Sequence, residues 1–218
     1  MTEQDAVKDY FDREARRFDA IYEARKPFGQ RVVDRLFRRV VVERFELIRN
    51  LAPMSGPWTV LDVGCGSGRY SIALAQTGAE RVVGVDVSSS MIEIATTEAR
   101  RVGVGGKCEF TTSPFLDFST DEQFDVVVAT GYFDYLTDPE SHLRRMVARC
   151  RGRVFVSVPK KWEFRVPVRL VRFALTRGFV RFYSRHDLNA LVGASGVARD
   201  RVSIIDLGRD WIVVFRIA

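Results

Sequence analysis

The chain has 218 residues, a formal net charge of +6, and ordinary shares of hydrophobic (46%) and charged (28%) residues. This composition excludes collagen-like, disordered and disulfide-rich chains, and no apolar run approaches the roughly 18 to 20 residues that cross a bilayer. Three widely spaced cysteines without a CxxC pair argue against a zinc site or a disulfide framework, so we expect no bound metal. With no secretory signal visible at the N-terminus, the sequence predicts a soluble cytoplasmic protein.

The positive charge is concentrated in one region of the chain. Residues 151–185 contain ten Lys and Arg against one acid, Glu163, whereas the rest of the chain has 24 basic and 27 acidic side chains. Such a region suits an anionic small molecule, an acidic membrane surface or nucleic acid. A solvated arginine-rich face is the plain alternative.

The predicted elements begin with a helical N-terminal region. Residues 1–52 carry apolar side chains at helical spacing and predict a cap or lid, which ends at the turn cluster 53–57. Strands then alternate with helices; we predict strands at 59–63, 81–86, 107–112, 124–130 and 153–158, and helices at 69–77, 89–102, 139–150 and 188–192. Two closing strands, 202–207 and 211–217, are separated by a turn too short for a crossover, so they should form an antiparallel hairpin.

This order predicts an α/β fold with a Rossmann-like, seven-stranded, mostly parallel sheet, a C-terminal antiparallel hairpin and helices on both faces. We divide the chain into the cap, 1–52, and a core, 53–218. The core contains a basic amphipathic insertion at about 160–183, in which Arg165, Arg169 and Arg172 share one stripe of a predicted helix. Ser184 and Asp187 after it have the spacing of a capping box.

The strongest local signal is the run Asp62-Val-Gly-Cys-Gly-Ser-Gly68, which follows an apolar strand and precedes a helix. Glycines allow a sharp turn there and let the backbone approach a ligand. A dinucleotide loop counted from Gly64 would need its third glycine at Arg69, which makes a dehydrogenase the least favoured class. Asp86 ends the next strand, where a carboxylate can bind both hydroxyls of a ribose.

These motifs resemble the class I S-adenosylmethionine (SAM) dependent methyltransferases over residues 58–158. The resemblance implies that the loop glycines line the methionine and ribose portions of SAM and that Asp86 holds the ribose. The implied cofactor-binding residues are Asp62, Gly64, Cys65, Gly66, Gly68, Asp86, Val87, Met91, Phe115, Thr130 and Tyr22. Val87 and Met91 would pack against the adenine, Thr130 would end the floor beneath the methyl group, and Tyr22 would close over SAM with Tyr10 and Phe18.

One position departs from the family pattern. The family usually has an acid after the third strand that receives the adenine amino group, and here that position is Pro114. The backbone N–H of Phe115 remains available for the adenine ring, and Asp117 is the candidate replacement for the missing acid.

The candidate catalytic residues follow the fourth strand. In this family substrates meet the methyl group there, so Tyr132, Asp134 and Tyr135 are candidates to orient or deprotonate an acceptor. His142 is a further candidate base, although a solvent-facing structural role is the simpler interpretation for it and for His186. A carboxylate or amine acceptor would need no strong base.

The resemblance implies transfer of a methyl group from SAM to a small, apolar acceptor, with or without a carboxylate or phosphate, by O- or N-methylation. The product would be S-adenosylhomocysteine (SAH), and the enzyme a monomer or homodimer. Two alternatives stay open, an RNA methyltransferase that uses the basic 151–185 surface and a non-catalytic nucleoside-binding adaptor. Nucleic acid is the less favoured substrate, because residues 130–133 lack the tetrapeptide of exocyclic-amine methyltransferases.

Overall fold

A computed structural model describes Asp12 and residues 42–51, 56–161 and 180–217 of the chain. Its strands are β1 Thr59–Val63, β2 Arg81–Asp86, β3 Cys108–Thr112, β4 Phe124–Ala129, β5 Cys150–Pro159, β6 Val202–Asp206 and β7 Asp210–Arg216. Residues 42–51 are helical (α1), and the other described α-helices are α2 Arg69–Gln76, α3 Ser89–Arg101, α4 Pro139–Ala148 and α5 Arg185–Ala194.

The seven strands form one sheet in the order β3-β2-β1-β4-β5-β7-β6. The first five strands in this order are parallel, and β7 runs antiparallel to both of its neighbours. The chain order reverses at β1, which pairs with β2 on one side and β4 on the other. Ligands of open α/β sheets bind at the carboxyl ends of the strands at such a reversal.

Helices cover both faces of the sheet, as the alternation predicts. On one face, α4 and α5 pack their apolar residues, such as Leu143 and Leu188, on the strands. On the other face, α1, α2 and α3 contribute residues such as Ile48, Leu74 and Ala99. Parallel strands buried on both faces have near-continuous apolar sequences. The apolar runs of β1, β2 and β4 therefore predicted these strands correctly.

Several local predictions are confirmed and others need correction. Ser184 and Asp187 form the predicted capping box at the start of α5. The helix predicted at 139–150 is wrong at its end, because Cys150 is the first residue of β5 and α4 ends at Ala148. Phe133–Tyr135 forms a single 3-10 turn that periodicity did not indicate.

The predicted cap and the basic insertion lie largely outside the described residues. Of residues 1–41 the structure describes Asp12, whose carboxylate accepts a hydrogen bond from the hydroxyl of Ser88. The ends of the insertion are joined by a short bridge, in which the N–H of Lys161 donates to the oxygen of Tyr183 at 2.9 Å. In the described part of the chain, no helix is long and apolar enough to cross a membrane.

Candidate active site

The glycine-rich loop connects β1 to α2 at the reversal point of the sheet. Gly64, Gly66 and Gly68 all have positive φ values, of 69°, 52° and 75°. The N–H of Gly64 donates to the oxygen of Val85 at 2.8 Å, which ties the loop to the end of β2. Around Gly66 no atom of the described residues beyond its chain neighbours lies within 4 Å of where a Cβ would stand, so they leave open space beside the backbone there.

Asp86 lies beside this loop at the carboxyl end of β2. Its two carboxylate oxygens accept hydrogen bonds from the N–H groups of Gly66 and Ser88, each at 2.9 Å. Burial raises the pKa of Asp86, these N–H groups oppose the rise, and the charge of Asp12 adds to it. A carboxylate oxygen with one backbone donor keeps a second lone pair, so each oxygen can still accept a hydroxyl.

The alternative role for Asp86, as the cap of the following helix, belongs to Ser88 instead. The hydroxyl of Ser88 accepts the N–H of Met91 at 3.2 Å and is the N-cap of α3. Asp86 is therefore left to face the loop.

Asp62 is fully buried behind the loop, on the α2 side of β1. Its Oδ2 accepts the hydroxyl of Ser71 at 2.6 Å, whereas its Oδ1 has no hydrogen-bond partner among the described residues. Burial raises the pKa of Asp62 to about 7, against the opposing effect of Ser71. A buried carboxylate with one oxygen unpaired favours a cationic ligand group.

Tyr132 follows β4 and lies across the loop. A Cβ added to Gly64 would come within 2.3 Å of the Tyr132 ring, so glycine is required there for packing as well as for its backbone conformation. Burial raises the pKa of the Tyr132 phenol far above its ordinary value, and the negative charge of Asp86 adds to this effect. Tyr132 therefore stays protonated.

His142, in the first turns of α4, is buried and not solvent-facing, which corrects the simpler interpretation of its role. Its Nδ1 lies 2.8 Å from the hydroxyl of Tyr132, and its ring centroid is 6.0 Å from that of Phe115. Burial lowers the pKa of His142 to about 4; the Asp138 charge opposes the shift and Arg145 adds to it. The imidazole is neutral at physiological pH. His186, in contrast, is exposed, as expected.

A second buried cluster, not anticipated from the sequence, joins α1 to the sheet. Nη2 of Arg44 lies 2.6 Å from Oδ2 of Asp210, the first residue of β7. Tyr70, in the first turn of α2, hydrogen-bonds with Arg44 and with Thr130 at the end of β4. Burial lowers the pKa of Arg44, but the charges of Asp210, Tyr70 and Asp134 outweigh it and raise the pKa overall. No local signal distinguishes Arg44 from the other arginines of its amphipathic helix.

The other site residues predicted from the sequence differ in how deeply they are buried. Cys65 is buried, and burial raises the pKa of its thiol, which makes it an inert part of the loop. Met91 and Phe115 are buried, Val87 and Tyr135 are half-buried, and Asp134 is buried, its backbone oxygen accepting the N–H of Arg181 at 2.7 Å. Tyr10, Phe18 and Tyr22 lie outside the described residues.

Comparison with known proteins matches the loop, Asp86 and β4 to one family. Residues 60–152 match the family described as a methyltransferase domain. Residues 60–152 are a methyltransferase domain of the class I SAM-dependent type. The domain begins in β1 and ends in β5, and so contains the glycine-rich loop, Asp86, Phe115 and Thr130.

Curated relatives of this domain are named ubiquinone biosynthesis O-methyltransferase. That of Bordetella avium is 34% identical over 131 residues, which is 56% of this chain and 53% of the relative. That of Pseudomonas fluorescens strain Pf-5 is 34% identical over 149 residues, 63% of each chain. The chain thus spans between half and two thirds of the length of these relatives.

The similar solved structures share the fold of the methyltransferase domain. Magnesium protoporphyrin IX methyltransferase from Synechocystis PCC 6803 with bound SAH aligns over 100% of both chains, with a TM-score of 0.79 and 21% identity. The predicted Rossmann-like fold is confirmed.

The residues of this chain fit the SAM cofactor of the family. Asp86 offers a carboxylate for a ribose, the backbone of Gly66 borders open space, and Asp62 has a buried oxygen without a partner among the described residues. The methionine end of SAM carries an ammonium and a carboxylate, so it needs one acidic and one basic group. Asp62 and Arg44 are one acidic and one basic side chain, and the charges of both act on the pKa of the Tyr70 hydroxyl.

Proposed function

We propose that this protein transfers the methyl group of SAM to an oxygen of a small, largely apolar acceptor. The observation that carries the proposal is the combination, within a matched methyltransferase domain, of an open glycine loop with Asp86 at the end of β2. The curated relatives, named as ubiquinone biosynthesis O-methyltransferases, support oxygen over nitrogen as the atom methylated. Methylation of RNA and a non-catalytic adaptor role are not favoured by these relatives.

In this proposal Asp86 binds the ribose, Asp62 binds the ammonium of the methionine portion, and Arg44 its carboxylate. Val87, Met91 and Phe115 line the adenine site, and Thr130 and Tyr132 border the methyl group. The bound cofactor supplies an activated methyl group on a sulfonium. The protein has to align the acceptor with the methyl group, exclude water, and provide for the removal of the acceptor's proton where it has one.

The protonation states of the described residues favour an acceptor that is already ionised. Tyr132 stays protonated and His142, whose pKa is lowered to about 4, is a weak base. We therefore expect a carboxylate or an acidic phenol, oriented by Asp134 and Tyr135, over an alcohol that would need a strong base.

The charge near the acceptor side also favours an anion. Lys160 and Arg185 flank the ring of Trp211 at 5.2 and 5.9 Å, and Arg181 lies over the ring of Tyr183 at 5.3 Å. Lys160 also pairs with Asp206, so part of this charge is balanced. These cations border the two ends of residues 162–179, where the sequence adds four arginines and one acid. We propose that this basic region guides an acceptor with a carboxylate or phosphate, in solution or at a membrane surface.

Calorimetric titration with SAH tests the cofactor, with NAD as the negative control. We expect micromolar binding of SAH that weakens more than tenfold in Asp86→Ala, since hydrogen bonds to a charged group contribute about 1.5 to 3 kcal/mol each. Asp121→Ala, which removes an exposed acid before β4 with no assigned role, is the matched control and should bind SAH normally. Absence of SAH binding to the wild-type protein would refute the proposal.

The acceptor class is tested with radiolabelled SAM and a panel of compounds. The panel should contain apolar carboxylic acids, acidic phenols, their neutral esters and ethers, and bulk RNA. We expect transfer to members of the first two groups. Transfer to RNA alone, with a steep dependence on salt, would show that the acceptor is a nucleic acid.

We further propose that the protein acts in the cytoplasm, as a monomer or homodimer. Cys65, Cys108 and Cys150 are buried free thiols, a pattern that suits a reducing compartment. Sedimentation velocity of the purified chain distinguishes the two assembly states.

A further inference from the structure

We infer that His142, held by the hydroxyl of Tyr132, recognises the adenine base of the cofactor, with its Nε2 accepting a hydrogen bond from the 6-amino group. This assigns His142 to cofactor specificity and not to deprotonation of the acceptor. The inference rests on the proposed function, because it takes SAM as the ligand of the glycine loop.

The position of the base follows from the register of β2 and β3. Asp86 is paired with Thr112, and the N–H of Ser113 donates to the backbone oxygen of Asp86 at 2.8 Å. A nucleoside whose ribose lies on Asp86 therefore places its base next to the turn that follows β3. Phe115, in this turn, is buried.

A continuous row of side chains connects that turn to the glycine loop. The Tyr132 ring packs on Gly64, its hydroxyl contacts Nδ1 of His142, and the His142 ring lies beside Phe115 with 6.0 Å between ring centroids. The Tyr132 and His142 rings meet edge to face at 5.5 Å. The row thus runs along the cofactor site from its centre to the position expected for the base.

An adenine at this position requires an acceptor for its amino group, and the turn itself offers few side chains. Pro114 has no polar side chain, the Ser113 hydroxyl donates to the oxygen of Pro114 at 3.0 Å, and the Asp117 side chain is exposed. His142 fits the requirement because its Nδ1 is engaged by Tyr132 and its Nε2 has no hydrogen-bond partner among the described residues.

The protonation state of the imidazole agrees with this role. A neutral imidazole has one donor and one acceptor nitrogen, and the hydrogen bond made by one nitrogen selects the state of the other. When Nδ1–H donates to the Tyr132 oxygen, Nε2 becomes the acceptor that the amino group needs. Burial keeps the pKa of His142 at about 4, so the ring stays neutral at physiological pH.

The test compares SAH with its analogue in which hydrogen replaces the 6-amino group, titrated into the full chain by calorimetry. For the wild-type protein we expect SAH to bind about three- to tenfold more tightly than the analogue, as one net hydrogen bond allows. In His142→Phe this ratio should fall to about one, whereas His142→Gln, which retains an acceptor, should keep most of it. Asp117→Asn tests the competing acceptor, the acid expected from the sequence, and should leave the ratio unchanged.

Each result has one interpretation. A ratio unchanged in His142→Phe, or abolished by Asp117→Asn, overturns the inference while SAH binding still supports the proposed function. Failure of SAH to bind the wild-type protein overturns both. Should His142→Phe not fold, the ¹⁵N chemical shifts of the wild-type imidazole decide the question, because SAH should fix the Nδ1–H tautomer and the analogue should not. An imidazole unchanged by SAH refutes the inference.

Discussion

Arg44 and Asp210 lie 166 positions apart in the sequence and form a buried ion pair, with 2.6 Å between Nη2 and Oδ2. The pair joins α1 to the first residue of β7, at the same edge of the sheet as the glycine loop. Because Tyr70 and Thr130 extend the cluster, the end of β4 is connected to α1 through hydrogen bonds. The position of α1 is therefore coupled to the floor of the proposed methyl-transfer site.

Removing one partner of this ion pair should destabilise the protein strongly. Asp210→Asn leaves the Arg44 guanidinium buried without its countercharge, and we expect a loss of about 3 kcal/mol in the free energy of unfolding. Arg49→Ala is the control, because it removes a half-exposed pair with Glu46 and should cost less than about 1 kcal/mol. Urea denaturation measures both values, and similar losses in the two variants would contradict the buried character of the Arg44–Asp210 pair.

Alanine substitutions at two loop glycines should separate packing from ligand binding. Gly64→Ala places a Cβ 2.3 Å from the Tyr132 ring at a positive φ, so it should lower the melting temperature sharply. Gly66→Ala meets no atom of the described residues within 4 Å and should cost only about 1 to 2 kcal/mol, from its left-handed conformation. Its added methyl group should nevertheless weaken SAH binding, because it enters the open space of the proposed site. Normal SAH affinity in Gly66→Ala would place the cofactor elsewhere.

Asp62 should make the ligand-free protein less stable as the pH rises. Its folded-state pKa, about 7, lies above the ordinary value of 3.8, so the folded state binds the proton more tightly. The contribution is fully present below pH 4 and is lost between about pH 4 and 7, with a maximum of about 4 kcal/mol. The difference in unfolding free energy between wild type and Asp62→Asn should follow this curve. A difference independent of pH would show that Asp62 is already ionised in the folded state.

His142 should have the opposite dependence on pH. Burial lowers its folded-state pKa to about 4 from 6.5, so its contribution to stability is present above pH 6.5 and is lost as the pH falls towards 4. We expect the stability of the wild-type protein relative to His142→Gln to decrease by about 3 kcal/mol over this range. Titration of the imidazole by NMR provides an independent measurement, and a pKa near 6.5 would contradict the buried position of the ring.

The strands, the helices and the glycine-rich loop follow from local patterns in the sequence. Local periodicity predicted the parallel strands, and the short turn between the last two strands predicted the hairpin. Residue spacing predicted the Ser184–Asp187 capping box and indicated that Gly64–Gly68 and Asp86 belong to one site. These features depend on residues close in the chain or on the carboxyl ends of strands, which a parallel sheet necessarily brings together. The role of Ser88 as the cap of α3 was predictable for the same reason.

Contacts between side chains far apart in the sequence depend on how the strands and helices pack together. The partnership of Arg44 with Asp210 depends on β7 being inserted beside β5, and the burial of His142 depends on how α4 packs on the sheet. The helical period places His142 on one face of α4, but it does not predict whether that face packs against the sheet or is exposed to solvent. The helix predicted from periodicity extended to Cys150. Instead, β5 starts at this residue because Cys150 pairs with Phe124 of β4. Contacts between distant residues arise from strand order and helix packing, which no local pattern encodes.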